Sequence, residues 1–256
     1  MSWLDEYAAT PGLIAPPLVR HVPPPVCAEP AGTRDALCVR LVGRTNPVDA
    51  QHGPSCGGHA LANALEVMLR RDADEQWLHA RVTSLVGSTA WQLDGRRLWS
   101  ELRRALYGDE SGGLRLSDIA AAAELLDLGA LVPVRVTPSS LVYTLHSAPV
   151  VLGLALSDGW RSPDRESGYV RPLTPHPWAG HAVCAVGYAE QDGHTYVVAA
   201  NSWGQEWGYY GTCLVHLDYV RYCWLDDGVA YQPTAPHWWE AGRLLQYVVA
   251  HREEPA

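Results

Sequence analysis

Residues 55–69 read SCGGHALANALEVML and have the period of an amphipathic helix. The apolar side chains recur at the i, i+4, i+7, i+8 spacing of one buried helix face, at Leu61, Leu65, Met68 and Leu69. Ser55 is a good N-cap residue, so Cys56 lies in the first turn. The unpaired N–H groups at a helix start amount to roughly half a positive charge, which favours a thiolate over a thiol. The stretch therefore predicts a helix that begins with a candidate nucleophile.

The pattern changes from helical to β-rich along the chain. Ser117 is expected to cap a second helix that ends at Gly129, and weaker helical patterns cover residues 76–86 and 98–106. From Pro149 onward, short β-rich runs are separated by turns, at residues 150–156, 182–188, 195–200 and 211–217. Helices followed by strands predict an α+β protein with a helical lobe and a β lobe.

The ends of the chain differ from its centre in composition. Residues 1–37 are rich in proline and are expected to be extended, because proline cannot donate backbone hydrogen bonds. Residues 38–232 are expected to form the central domain, with a helical lobe over about 50–145 and a β lobe over about 146–232. Residues 233–256 are expected to be a helical extension, with an amphipathic helix at 238–251.

The charge balance and the apolar runs exclude two classes of partner. The net charge is −9, so the clustered cations that a nucleic-acid partner needs are missing. No run of about 18 apolar residues occurs, so no membrane span is predicted. The N-terminus has no signal-peptide pattern, which favours a cytoplasmic location. The six cysteines are thinly spread and are expected to be reduced thiols. All basic residues are arginine, which indicates a GC-rich, bacterial genome.

Two further segments carry residues with catalytic chemistry. Residues 178–188 read WAGHAVCAVGY and place His181 at the start of an apolar strand. Residues 201–211 read NSWGQEWGYYG and place Asn201 directly after another predicted strand. If these strands pair antiparallel, Asn201 lies beside His181, and its carbonyl oxygen can fix the tautomer and the angle of the imidazole. The other ring nitrogen is then available to a thiol.

Each segment also has a purely structural interpretation. A free cysteine is usually a small buried hydrophobe, so Cys56 alone is weak evidence for catalysis. A lone histidine at a strand start is more often structural, and a turn rich in glycine and tryptophan can serve packing only. The order and spacing of the three segments favour catalysis, because His181 and Asn201 follow Cys56 by 125 and 145 residues.

That order and spacing resemble the papain-like cysteine peptidases, whose histidine and asparagine lie about 130 to 150 residues after the cysteine. The resemblance covers roughly residues 38–230 and includes the motif around Asn201 almost completely. It implies a helical lobe and an antiparallel, barrel-like β lobe with the active site in the cleft between them. It implies Cys56 as the nucleophile, His181 as its base and Asn201 as the residue that orients the base.

The resemblance also implies roles for residues outside the triad. Gln51 is similar to the glutamine that binds the oxyanion together with the backbone N–H of the cysteine. Gly112 and Gly113 resemble the glycine pair whose backbone binds an extended substrate. Trp203 is expected to shield the bond between His181 and Asn201 from solvent, and Ser55 supports the nucleophile as the cap of its helix.

The implied activity is hydrolysis of peptide bonds in a peptide or protein substrate, through a thioester and without metal or organic cofactor. Three alternatives stay open: transfer of the acyl group to an amine, a non-catalytic binding module, and a zinc site. Zinc is suggested by Cys56-x-x-His59 and Cys213-x-x-His216. The second pair argues against it, because an offset of three on a strand points two side chains to opposite faces.

The residues after Cys56 and before it raise two further expectations. Gly57 and Gly58 each cost a helix roughly 1 kcal/mol against alanine. We expect from this cost a wider or a closer-approaching cleft on the leaving-group side. Only 55 residues precede Cys56. Control of activity is therefore expected from narrow specificity, from an unidentified regulatory partner, or from the Pro-rich residues 11–30 lying in or beside the cleft.

Overall fold

The computed structural model describes residues 23–42, 50–69, 91–128, 130–135, 137–176, 179–225, 229–233 and 245–250. The helices are α1 Cys56–Leu69, α2 Gly95–Tyr107, α3 Leu116–Leu125, α4 Pro138–Thr144 and α5 Leu217–Cys223. The strands are β1 Cys38–Leu41, β2 Trp91–Leu93, β3 Leu131–Arg135, β4 Val150–Ala155, β5 Gly180–Gln191, β6 His194–Ala200, β7 Thr212–His216, β8 Val229–Pro233 and β9 Val248–Ala250. Helices dominate the first part and strands the second, so the predicted α+β fold is confirmed.

The β lobe is a seven-stranded antiparallel sheet in the order β3-β8-β4-β5-β6-β7, with β1 also paired to β5. Strands β5 and β6 form a hairpin whose turn is Asp192-Gly193, and both residues have positive φ. An Asp-Gly pair is a preferred two-residue hairpin turn because both positions need that conformation. The hairpin fixes the register that brings the first residues of β5 beside the last residues of β6.

Strand β5 lies between two hydrophobic cores, and both of its faces are buried. Ala182 and Cys184 belong to the core that also contains Leu61 and Leu65 of α1. The alternate residues Val183 and Ala185 belong to a second core, which is formed with α4, α5 and the neighbouring strands. The period of two along the strand therefore separates the cores of the two lobes. Helix α1 lies directly against β5.

Helices α1 and α2 pack at very short range through glycines. A Cβ atom on Gly58 would lie 2.1 Å from the carbonyl oxygen of Gly95 and 2.5 Å from the Cβ of Trp99. A Cβ atom on Gly57 would meet mainly the flexible side chain of Ile119, at 2.9 Å. The expectation that these glycines widen the cleft is therefore wrong, because they serve contacts between helices inside the helical lobe.

Two sequence expectations, on the cap of α3 and on the place of β3, need correction. Helix α3 begins at Leu116, so Ser117 is not its cap; the backbone N–H of Arg115 donates to the Asp118 carboxylate at 2.9 Å. Strand β3 lies within the range expected for the helical lobe but pairs with β8 in the sheet. Pairing with β8 gives the backbone N–H and C=O groups of β3 hydrogen-bond partners that they would lack in a loop.

The C-terminal residues 245–250 are a 3-10 turn followed by strand β9 rather than part of a helix. Strand β9 pairs antiparallel with β2, and the carbonyl oxygen of Tyr247 accepts a hydrogen bond from the Asp94 N–H at 2.8 Å. This pairing satisfies the backbone of both short strands and excludes a helix there. The remainder of the expected helix at 238–251 and the weak helical pattern at 76–86 lie outside the described residues.

The described part of the Pro-rich segment wraps over the β lobe. The carbonyl oxygen of Ala28 accepts from the Tyr196 hydroxyl at 3.1 Å, and Ala31 exchanges two hydrogen bonds with the Gln191 side chain at 2.7 and 3.2 Å. Gln191 is ten residues along β5 from His181, a distance of about 30 Å in a strand. Residues 23–31 therefore lie away from the cleft, and residues 11–22 lie outside the described part.

Within the described part of the chain, no helix has the length and apolarity needed to cross a membrane. All six cysteines lie in the described residues, and none of them forms a disulfide.

We expect the melting temperature to be the same with and without a thiol reductant. Removing a native disulfide typically costs about 2–5 kcal/mol, which lowers the melting temperature by several degrees. The measurement is a pair of thermal unfolding curves followed by circular dichroism. A lower midpoint in reductant would show that a disulfide forms in solution.

Candidate active site

Cys56 is the first residue of α1, and its sulfur lies against strand β5. The Sγ atom accepts a hydrogen bond from the backbone N–H of Ala182 at 3.4 Å. Ser55 precedes the helix as predicted. Its carbonyl oxygen accepts from the His59 N–H at 3.2 Å, and its hydroxyl donates to the His52 carbonyl oxygen at 3.2 Å. A backbone donor aimed at the sulfur and the helix start both favour the thiolate. The helical lobe thus presents a thiol to the β lobe.

His181 and Asn201 form a hydrogen-bonded pair at the ends of two neighbouring strands. The Nε2 atom of His181 lies 2.6 Å from the Oδ1 atom of Asn201. The register pairs Cys184 with Ala200, so Asn201 is a diagonal neighbour of His181 on the sheet. Because the amide oxygen can only accept, Nε2 carries the proton in the neutral ring, and the lone pair is on Nδ1. The structure therefore brings the three predicted residues to one place.

Two tryptophans contact the imidazole, and a third packs against them. The ring of Trp203 stacks on His181 with centroids 4.8 Å apart, and Trp160 meets His181 edge-on at 6.3 Å. Trp207 stacks on Trp160 at 6.0 Å and donates its indole N–H to the Trp160 carbonyl oxygen at 2.9 Å. The sequence analysis found Trp203 but missed Trp160. The signal available for it was a single tryptophan beside Gly159 in an otherwise polar segment.

Burial controls the charge of His181. His181 is fully buried, and this burial lowers its pKa to about 4. The hydrogen bond with Asn201 acts in the opposite direction, and the nearby His59 lowers the pKa further when it is charged. The imidazole is therefore neutral near pH 7 and ready to accept a proton. His59 lies one turn after Cys56 and was not considered as a neighbour of His181 in the sequence analysis.

Gln51 lies beside the nucleophile, and its side-chain amide is turned onto its own loop. Its Nε2 atom donates to the Gly53 carbonyl oxygen at 2.9 Å, and its Oε1 atom accepts from the Ser202 hydroxyl at 2.5 Å. The Gln51 backbone N–H also donates to the Ser202 carbonyl oxygen at 2.7 Å. These bonds tie the loop before Cys56 to the residue after Asn201. Ser202 is a structural partner of the site that the sequence did not reveal.

Gly112 and Gly113 follow α2 on the helical-lobe side. Gly112 has φ +76°, a backbone conformation that residues other than glycine rarely adopt. A Cβ atom there would meet nothing within 4 Å. The carbonyl oxygens of Gly112 and Gly113 accept hydrogen bonds from the Trp99 indole and the Arg103 guanidinium of α2. A cavity of about 480 Å³ lies between the loop before Cys56 and the first half of α2, and its lining includes His52, Pro54 and Trp99.

The zinc hypothesis has no support in the part of the chain that the structure describes. There, no three His, Cys, Asp or Glu side chains are placed to hold a metal ion. Cys213 points into the core of the β lobe, whereas His216 contacts Tyr196 and His194 on the other side of the strand. The spacing Cys213-x-x-His216 therefore cannot chelate one ion.

Sequence comparison finds relatives for the C-terminal part of the chain. The papain family cysteine protease pattern matches residues 145–232, which include His181 and Asn201. Testin-2 of Mus musculus is 36% identical over 72 residues, and Testin-2 of Rattus norvegicus is 35% identical over 72 residues. These matches cover 27% of this chain and 20% of each relative. The chain thus matches about a fifth of the length of these curated relatives.

Structural comparison covers nearly the whole chain. Xylellain, a cysteine protease from Xylella fastidiosa, has a TM-score of 0.58 and 18% identity, covering 88% of this chain and 96% of its own. Procathepsin B S9 from Trypanosoma congolense has a TM-score of 0.55 and 12% identity, with 91% and 89% covered. The Carica candamarcensis cysteine protease CMS1MS2 has a TM-score of 0.51 and 17% identity, with 75% and 94% covered.

These comparisons identify the fold. The fold is that of the papain-like cysteine proteases, with Cys56 on the helical lobe and the His181–Asn201 pair on the β lobe. The sequence itself matches the papain family over residues 145–232. The resemblance inferred from three short motifs is confirmed.

Proposed function

We propose that this protein is a cysteine-type peptidase that hydrolyses peptide bonds through a thioester on Cys56. The observation that carries the proposal is the geometry of three side chains from three elements. The Cys56 sulfur sits at the start of α1 against Ala182, and the adjacent His181 is held by Asn201 at 2.6 Å. A nucleophile, a base and a residue that orients the base are the minimum set for this chemistry.

In the first half of the reaction, Nδ1 of His181 takes the Cys56 proton. The sulfur attacks the carbonyl carbon of the substrate, the S–C bond forms and the carbonyl electron pair moves to oxygen. As the tetrahedral intermediate collapses, the C–N bond breaks and His181 gives its proton to the leaving amine. The acyl group is then a thioester on Cys56. The neutral state of buried His181 near pH 7 suits the first of these steps.

In the second half, His181 accepts a proton from water, and the hydroxide oxygen attacks the thioester carbon. The S–C bond breaks, the acid product leaves, and the proton on His181 passes to the Cys56 sulfur, which returns the site to its starting state. Asn201 keeps the ring in the same orientation for both halves because its oxygen holds Nε2 throughout. Trp203 and Trp160 exclude water from that bond, where low dielectric strengthens it.

We assign the oxyanion to the Cys56 backbone N–H and to the Gln51 amide. Removing one such donor typically costs about 100- to 1000-fold in rate. In this structure the Gln51 Nε2 atom donates to Gly53, so one of its two N–H groups is engaged there. The backbone bond between Gln51 and Ser202 keeps the residue beside the nucleophile loop while the amide meets the substrate. The mechanism uses no metal or organic cofactor.

We further propose that the substrate is a peptide or a protein and that the protein binds neither nucleic acid nor a membrane. We also propose that it works in the reducing cytoplasm, where Cys56 stays a thiol. The net charge of −9 and the spacing of the cysteines support these assignments.

The proposed activity is tested by incubating the protein with a library of N-blocked peptides, with and without an added amine, and identifying products by mass spectrometry. We expect cleavage by the natural chain and none by Cys56→Ala. The matched control is Cys184→Ala, because Cys184 is equally buried but its thiol faces the core and burial raises its pKa strongly. Ligation to the amine as the main product would assign acyl transfer instead. Equal cleavage by Cys56→Ala would overturn the proposal.

A further inference from the structure

The loop before the nucleophile is joined to the segment that follows β6 by a short antiparallel pairing. Ala50 and Trp203 form an isolated β-bridge, and the Gln51 backbone N–H donates to the Ser202 carbonyl oxygen at 2.7 Å. Because β6 belongs to the β lobe and the loop leads into α1, this pairing connects the two lobes. Gln51 and Ser202 are therefore neighbours across the junction of the lobes.

The side chains of the same two residues also contact each other. The Ser202 hydroxyl donates to Oε1 of Gln51 at 2.5 Å, and Nε2 of Gln51 donates to the Gly53 carbonyl oxygen at 2.9 Å. A carbonyl oxygen can only accept, so the nitrogen end of the amide must face Gly53. The oxygen end then faces the Ser202 hydroxyl, which can donate to it. The two contacts together fix the orientation of the amide.

The fixed amide keeps one donor for the reaction. Nε2 of Gln51 carries two hydrogens, and the Gly53 carbonyl oxygen takes one of them. Because an amide group is planar, holding its oxygen and its first N–H also sets the direction of the second N–H. A donor that is already oriented when charge develops on the substrate oxygen stabilises that charge without reorganisation. The Ser202 hydroxyl therefore bears on the stabilisation of the oxyanion.

Ser202 is itself held firmly in the catalytic segment. It is only 2% exposed and lies between Asn201 and Trp203, the two residues that contact the His181 ring. A buried hydroxyl needs a partner, and Oε1 of Gln51 accepts its hydrogen. The segment that orients the base thus also holds the glutamine assigned to the oxyanion.

We propose that Ser202 is a positioning residue for the reaction: its hydroxyl holds the Gln51 side chain so that the remaining N–H of the amide points toward the substrate carbonyl oxygen. The inference rests on the proposed peptidase function and on the assignment of Gln51 to the oxyanion. It requires that Ser202 acts through Gln51, on the transition state rather than on substrate binding, and that it leaves the reactivity of the Cys56 thiol unchanged.

The first measurement compares Ser202→Ala with Ser167→Ala as the matched control. Ser167 is also buried, at 3% exposed, and its hydroxyl donates to the Asp164 carboxylate at 2.7 Å. For Ser202→Ala we expect kcat on the best library peptide to fall about tenfold, as for one lost hydrogen bond, with KM changed less than about twofold. Ser167→Ala should leave kcat within about twofold of the natural chain. A raised KM with an unchanged kcat in Ser202→Ala would contradict a role in the transition state.

A double-mutant cycle tests whether Ser202 acts through Gln51. Gln51→Ala alone is expected to lower kcat by about 100-fold or more. Ser202→Ala added to it should cost less than about a further twofold, because the amide that Ser202 holds is then missing. The same tenfold loss in both backgrounds would overturn the proposal, since Ser202 would then act on another group.

Two probes separate positioning from general damage at the site. When a peptide aldehyde adds to Cys56, the S–C bond forms, the thiol proton passes to His181 and the carbonyl electron pair moves to oxygen. Its Kd therefore reports on the oxyanion site without turnover. Iodoacetamide alkylates the same thiol without forming an oxyanion. In Ser202→Ala, the aldehyde Kd should rise about tenfold while the alkylation rate stays within about twofold. Equal losses with both probes would contradict the proposal.

The conservative variant covers the case in which the alanine variant folds poorly. Ser202→Thr keeps the hydroxyl, so we expect it to bind the aldehyde within about threefold of the natural chain. A folded Ser202→Thr that loses as much affinity as Ser202→Ala would show that the hydroxyl is not the group that matters.

The orientation of the amide can also be observed without any reaction. In isotope-labelled protein, the side-chain NH2 group of Gln51 gives NMR signals that are identified by their loss in Gln51→Ala. We expect Ser202→Ala to shift or broaden these signals, because the amide is then free to turn, and Ser167→Ala to leave them in place. Unchanged signals in Ser202→Ala would overturn the proposal. A natural chain that binds the aldehyde but cleaves no peptide would instead contradict the peptidase proposal alone.

Discussion

Replacing His181 with alanine is expected to lower peptide turnover by about 1000-fold or more, because the change removes the base and the proton donor together. The side chain is fully buried between Trp203 and Trp160. A smaller residue therefore leaves a space there rather than a clash. The measurement is kcat/KM on the best library peptide, with a melting curve of the variant to show that it is folded.

The same variant is expected to change the pH dependence of Cys56 alkylation by iodoacetamide. Burial keeps His181 neutral, so the imidazole can accept the Cys56 proton. The start of α1 and the Ala182 N–H then stabilise the thiolate. In the natural chain the rise in alkylation should therefore lie below about pH 6. Without His181, the rise should move toward the ordinary thiol value near 8.5, a loss of roughly 300-fold in thiolate at pH 6.

The other five cysteines provide internal controls within each sample. Burial raises the pKa of Cys213 to about 12 and of Cys27 to about 11, so neither should react at pH 6. Mass spectrometry of each cysteine separates these sites from Cys56. Asn201→Ala should shift the profile less than His181→Ala, because the imidazole remains and only its orientation loosens. An alkylation profile that is unmoved in His181→Ala would show that the pair does not exist.

The juxtaposition of Cys56, His181 and Asn201 was predictable because it depends on residue type and on local position. The position of Cys56 at a helix start follows from the apolar period of 55–69, and that helix is present as Cys56–Leu69. The position of Asn201 follows from the strand before it, and the observed strand ends at Ala200. A sequence can show both facts, since helix and strand periods are local. The long-range pairing then needs only the antiparallel hairpin between β5 and β6.

The supporting residues were not predictable because their contacts join distant parts of the chain. Trp160 meets His181 from a short turn, and Ser202 holds Gln51 from a position 151 residues away. Arg103 is one of several arginines in a helix whose charged pattern indicates an exposed face, yet it is buried. Strand β9 forms where a helical pattern was expected, because its backbone finds a partner in β2. In each case tertiary contact decides over local preference.

The two glycines after Cys56 show how a correct local cost can be assigned to the wrong cause. Their helix penalty is real, roughly 1 kcal/mol each, and something in the fold must require them. The sequence suggested the cleft, whereas the structure places Gly58 at the contact of α1 with the start of α2. The same contact explains Gly95, where a Cβ atom would lie 2.5 Å from Nδ1 of His59. Paired glycines let the two helices approach to backbone contact.

This contact leads to the second large expected effect, on stability. Gly58→Ala should destabilise the protein by about 3 kcal/mol or more, because the new methyl group would meet the Gly95 carbonyl oxygen at 2.1 Å and the Trp99 backbone nitrogen at 2.6 Å. Backbone atoms cannot rotate away, so helices α1 and α2 would have to separate. Urea unfolding followed by circular dichroism measures the loss, and for a chain of this size it lowers the melting temperature by roughly 6 °C or more.

The neighbouring residue is the matched control. A Cβ atom on Gly57 would meet the Ile119 Cδ1 atom at 2.9 Å, and this is the far end of a flexible side chain that can rotate. Gly57→Ala also regains roughly 1 kcal/mol of helix propensity, so its net effect should be within about 1 kcal/mol of the natural chain. The same substitution one residue apart should thus separate by about 2 kcal/mol or more. Equal stability of the two variants would show that the close contact between α1 and α2 does not exist in solution, and the glycines would again need an explanation in the cleft.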